Sequence, residues 1–94
     1  MARFLETYYF GLEGQDITDE EYWDLRISEP SLENTLKNGG QLITEYDGIC
    51  HGPNYGKPFI FKTLIRTPGK RDRVIKYHSD KSEAYKFHAN EAAL

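Results

Sequence analysis

Residues 57–93 constrain the fold more than any other part of the chain. Within 59–66, Phe59, Phe61, Thr63 and Ile65 alternate with Ile60, Lys62, Leu64 and Arg66. That period of two predicts a strand whose first set faces the core. Pro68-Gly69 then supplies the second and third residues of a type II turn. Residues 73–78, RVIKYH, form the returning strand. Asp80 with Glu83 three positions on has the form of a capping box and predicts a helix over 81–92. Ala84, Tyr85, Phe87, His88, Ala89 and Ala92 share one broad face of that helix.

The N-terminal half supplies the remaining elements. Residues 3–12, RFLETYYFGL, carry apolar groups on both faces and predict a central strand covered on both sides. Thr18 and Glu21 form a capping box, with Ile17 and Tyr22 placed for a hydrophobic staple. The helix they open is predicted over 19–27, burying Tyr22, Leu25 or Trp23, and Ile27. Leu32 and Leu36 stand four apart, which predicts a short second helix near 30–37, stopped by Asn38-Gly39-Gly40. Residues 41–46 predict a strand. Asp47-Gly48 is a hairpin signal, with 49–51 as its short return strand. Antiparallel hairpins with helices set around them mean an α+β fold. The expectation is a single domain over 1–94: a mostly antiparallel sheet of four or five strands, covered by two or three helices including a C-terminal one.

One cysteine in 94 residues excludes an internal disulfide. No run approaches the roughly 20 apolar residues of a membrane span, and no N-terminal apolar run resembles a signal peptide. A cytoplasmic protein without membrane contact is the expectation. The net charge of −3 conceals an asymmetry. Residues 1–56 hold eleven acids and three bases, and residues 57–94 hold four acids and nine bases. Such a dipole can steer either half toward a partner, or toward a second copy.

Catalytic patterns fail on spacing. Gly52 and Gly56 have three residues between them rather than four, and Lys57-Pro58 opens a strand, so no phosphate loop forms. Cys50 and His51 are neighbours in a strand and point to opposite faces. His51, His78 and His88 lack the short spacings of zinc ligands. Asp19, Glu20 and Glu21 are explained by the helix dipole. No catalytic residue, metal or cofactor is expected, and the chain reads as a non-enzyme.

The basic hairpin is the leading candidate site. Lys62, Arg66, Lys70, Arg71, Arg73 and Lys76 all lie on two strands and one turn. Such a ribbon fits an acidic protein partner or, as the alternative, the phosphates of nucleic acid. The acidic, aromatic region Tyr22, Trp23 and Asp24 is the second candidate. Aromatic richness, with seven Tyr, five Phe and one Trp, suits protein interfaces.

In Gly69-Lys70-Arg71, Tyr77, Ser79 and Glu83-Ala84, the stretch 59–89 resembles the three-stranded sheet plus helix of AP2-like and tyrosine-integrase arm-binding domains. That resemblance implies the local fold and nucleic-acid contact by the hairpin. In size and composition the chain also resembles small phage inhibitors such as anti-CRISPR proteins. This implies a protein partner within a host macromolecular complex that handles nucleic acid.

Overall fold

The computed structural model of the chain describes residues 9–49 and 58–93. Its elements are β1 (Tyr9–Phe10), β2 (Asp16–Ile17), α1 (Asp19–Ser28), β3 (Leu32–Thr35), β4 (Gln41–Tyr46), β5 (Phe61–Arg66), β6 (Arg73–His78) and α2 (Lys81–Ala92). β3, β4, β5 and β6 form an antiparallel four-stranded sheet in that order, and β1 pairs with β2 in a separate antiparallel ribbon. α2 crosses one face of the large sheet and touches all four strands. The fold is α+β, as the order of hairpins and helices implies. Among the described residues no helix is long and apolar enough to cross a membrane.

Local chemistry sets the element ends. Thr18 Oγ1 accepts from Glu21 N at 3.2 Å, and Glu21 Oε1 accepts from Thr18 N at 3.0 Å, which completes the capping box of α1. Asp80 caps α2 by accepting from Ser82 N at 3.1 Å. Lys70 N donates to Thr67 O at 3.0 Å, and Gly69 takes the positive φ of 77° that the third turn position requires. Thr18→Ala should therefore cost about 1 kcal/mol in chemical denaturation. An unchanged midpoint would show that the cap does not stabilise α1.

A line of aromatic rings joins the small ribbon to the large sheet. Tyr9 stacks on Tyr22 at 4.2 Å, Tyr22 lies 5.9 Å from Tyr46, Tyr46 meets Phe61 at 6.0 Å, and Phe61 meets Tyr85 of α2 at 6.3 Å. Tyr22, Tyr46, Ile60, Phe61 and Ala84 form the buried centre of this cluster. Tyr46 donates its hydroxyl to Phe10 O at 2.5 Å, and Gly48 O accepts from Phe10 N at 2.7 Å. Burial pushes the Tyr46 phenol up to about 12. α1 is tied down at its C-terminal end: Arg26 Nη1 donates to Tyr46 O at 2.6 Å, and Glu29 Oε1 meets Lys81 Nζ at 2.6 Å.

Four expectations need correction. First, 30–37 is not helical; Leu32–Thr35 is an edge strand, with Leu32 opposite Thr44. Asn38-Gly39-Gly40 is a hairpin turn, closed by Leu36 N donating to Gly40 O at 2.7 Å. Two leucines four apart are also compatible with a strand when a neighbouring strand offers a ladder. Second, Asp47-Gly48 does not fold β4 back on itself. Asp47 N and Gly48 N both donate to Ile60 O, and β4 pairs with β5 instead. Ile49 bridges to Tyr9, while Cys50 and His51 lie outside the described residues. Third, β1 belongs to the two-stranded ribbon rather than the centre of the main sheet; residues 3–8 of the expected strand lie outside the described residues. Fourth, burial on β5 and the helices departs from the simple alternation. Ile60 and Leu64 are buried as fully as Phe61 and Thr63, whereas Phe59 is 39 % exposed. Ile27, expected in the core, is 84 % exposed, and Ala89 faces solvent.

Candidate functional site

The β5–β6 hairpin carries six cations, and the structure divides them into two groups. Lys62 stands opposite Tyr77 on the face away from α2, between Glu45 at 3.7 Å and Asp47 at 3.8 Å. Arg66 makes a two-pronged contact with Asp72, Nη2 to Oδ2 at 2.8 Å and Nε to Oδ1 at 3.1 Å. The hydrogen bonds from Arg66 hold the Asp72 carboxyl below its ordinary range. These two bases are neutralised inside the molecule. Lys70, Arg71, Arg73 and Lys76 are exposed, and no carboxylate lies within ion-pair distance of any of them among the described residues. Lys76 rests over the Phe87 ring of α2, 5.3 Å from its centroid. A bulge between Thr63 and Leu64 twists the hairpin. The available positive charge is thus concentrated at the tip and along the outer strand.

The second candidate region is split by burial. Tyr22 is only 3 % exposed and packs in the aromatic line, so it is a core residue rather than a contact. Trp23 is 54 % exposed, and Asp24 faces solvent beside it. Tyr22 braces the Trp23 ring edge-on at 5.1 Å. Glu20 and Ile27 complete the same outward face, and sequence reasoning missed both. Its only available signal was their spacing from Trp23 and Asp24 at three and four residues.

Beneath α2 lies a polar chain that no sequence spacing signalled. Asn34 Oδ1 is 2.6 Å from His88 Nε2, and His88 Nδ1 is 2.8 Å from Thr44 Oγ1. Thr44 Oγ1 is 2.7 Å from Thr63 Oγ1, which is 2.9 Å from His78 Nε2. Thr44, Thr63, His78 and His88 are all at most 3 % exposed. An amide oxygen can only accept, so His88 donates from Nε2 and, as a neutral ring, accepts at Nδ1 from Thr44. Thr44 then accepts from Thr63, and Thr63 accepts from His78 Nε2–H. Every buried group is satisfied with both histidines neutral. Burial pulls both imidazoles below the ordinary histidine range; at His78 Lys76 adds to this and Glu83 opposes it.

The hydroxyls of Thr44 and Thr63 are enclosed between α2 and the sheet, where they hold the helix in place. His78 reaches a cleft of about 290 Å³ between β6 and α2, lined also by Lys76, Glu83, Lys86, Phe87 and Asn90. No protein-family model, curated protein or solved structure matches this chain.

Proposed function

We propose that this chain is a small non-enzymatic binding protein that docks on an acidic protein surface through the tip and outer strand of the β5–β6 hairpin. One observation supports this most: Lys70, Arg71, Arg73 and Lys76 are exposed and carry no internal counter-charge among the described residues. Charges held out to solvent in this way steer encounter and confer specificity. The partner under this reading is a component of a macromolecular complex that handles nucleic acid, the kind of target that small phage inhibitors block. The chain acts by occupancy and performs no chemistry.

A protein partner is favoured over nucleic acid by what surrounds the hairpin. A ribbon entering a DNA groove presents a sheet face, and on the face away from α2 Ile43 and Leu64 are each only 2 % exposed. There Lys62 is held by Glu45 and Asp47, so that face offers carboxylates beside its base. Phosphates would be repelled by them.

The test is the double variant Lys70→Glu/Arg71→Glu. Its stability should stay within about 0.5 kcal/mol of wild type, because both residues are at an exposed turn. Immobilised wild type should retain a protein from the source cell's lysate, and the variant should lose it, mainly through a slower association rate. Duplex DNA and single-stranded RNA should show no salt-dependent binding. Nucleic-acid affinity whose salt slope falls by about one for each of Lys70→Ala and Arg71→Ala would replace the protein partner by nucleic acid. A double variant that captures the same protein at the wild-type rate would remove the hairpin from the contact.

A further inference from the structure

The outward face of α1 is built like a docking helix. Glu20, Trp23, Asp24 and Ile27 stand at i, i+3, i+4 and i+7, the spacing that places side chains in one stripe. All four are exposed, with Ile27 at 84 % and Trp23 at 54 %. Two apolar groups flanked by two acids call for an apolar surface bordered by cations.

The same chain carries such a surface. On the hairpin, Val74 is 36 % exposed on the outer strand, and Lys70 and Arg71 are exposed at the tip. The two surfaces cannot meet within one molecule. α1 is anchored at the end of the sheet marked by the row Tyr46, Phe61 and His78, through Arg26 to Tyr46 O and Glu29 to Lys81. The hairpin tip leaves the opposite end, beyond the pair Gln41 and Arg66. Five strand steps, about 17 Å, separate the two rows.

We propose that α1 of one copy docks on the β5–β6 hairpin of a second copy. Glu20 and Asp24 face Lys70 and Arg71 in this contact, the Arg71 guanidinium lies on the Trp23 ring, and Ile27 meets Val74. Pairing of like surfaces is disfavoured by charge: α1 against α1 sets acids on acids, and tip against tip sets bases on bases. The contact therefore joins unlike surfaces, made twice in a two-fold dimer or once per copy in a chain or ring. This goes beyond the function proposed above and does not depend on it, since the purified protein alone suffices for the test.

The experiment is analytical ultracentrifugation with tryptophan fluorescence. Trp23 is the sole tryptophan, so its emission reports on this face alone. At about 0.01 M salt, where the Debye length is about 30 Å, mass should rise with concentration and emission should shift to the blue; at about 1 M salt both changes should vanish. Two exposed double variants, Trp23→Ala/Asp24→Ala and Lys70→Ala/Arg71→Ala, should each remain monomeric alone. Mixed, they should form a one-to-one pair that grows no further, because each retains the surface the other lacks. A wild type that stays monomeric to millimolar concentration overturns the proposal. So does association without a blue shift, or a mixture of the two variants that fails to pair.

Discussion

Gly48→Ala should destabilise the protein by about 3 kcal/mol. Gly48 has φ of +51°, a region where a Cβ costs roughly 1–2 kcal/mol against the following carbonyl. Space is the larger obstacle. A Cβ there would stand 2.2 Å from the Tyr46 hydroxyl oxygen and 2.7 Å from Phe10 O. Neither neighbour can yield cheaply. Phe10 O is backbone, held by the ribbon, and the Tyr46 ring is buried and donates to that same oxygen. Overpacking of this kind costs about 1–3 kcal/mol. Gly69→Ala is the control. Gly69 has φ of +77°, but a Cβ there meets nothing within 4 Å. It should show the backbone cost alone, about 1 kcal/mol. Both are measured by urea denaturation with the slope held common. Equal losses at the two glycines would show that the Tyr46–Phe10 contact does not join ribbon to sheet.

Gly48 also shows why part of the fold was legible in the sequence and part was not. Devices completed within a few residues read correctly: the Thr18–Glu21 box, the Asp80 cap and the Pro68-Gly69 turn. Each is satisfied locally, so tertiary context only confirms it. Asp47-Gly48 carries the same local signal as a hairpin turn, yet its amides go to Ile60 O. That carbonyl is thirteen residues from Asp47 and twelve from Gly48, and it left no mark on the local pattern. Leu32 likewise reads as one turn of helix until β4 offers Thr44 as a partner.

The candidate site divides along the same line. All six hairpin cations were visible as charges. Which of them are cancelled was not, because Lys62 is neutralised by Glu45 and Asp47, from a strand more than a dozen residues earlier. Only Asp72, six residues from Arg66, lay close enough to suggest a pairing. On α1 the capping box fixed where the helix begins but not which face turns inward. Tyr22 was read both as core and as a contact and is core, whereas Ile27 was read as core and is 84 % exposed. The polar chain beneath α2 joins residues 15 to 54 positions apart, beyond any window a periodicity can search.

That chain should make stability fall steeply as the pH drops below about 6.5. Both His78 and His88 are held below the ordinary histidine range, chiefly by burial, so the folded state binds fewer protons than the unfolded chain in that window. Stability then rises with pH where the unfolded state holds the extra protons. It is fully present above about 6.5 and is lost as pH falls toward the folded values. If both rings are unprotonated throughout, the slope approaches two protons, about 2.7 kcal/mol per pH unit. Glu21 and Asp72 are also lowered, but their contribution fades only in the carboxylate range further down. His88→Gln should make the fall of stability between pH 6.5 and 5 shallower than in wild type. The hydroxyls have a separate signature. Thr44→Val strands the Thr63 hydroxyl and His88 Nδ1, and Thr63→Val strands His78 Nε2–H, each at about 1–3 kcal/mol. The double variant strands the two rings but leaves no orphaned hydroxyl. It should therefore cost less than the sum of the singles, by about 1 kcal/mol. Strict additivity, or a pH profile flat between 5 and 7, would mean that the two threonines do not link the two histidines.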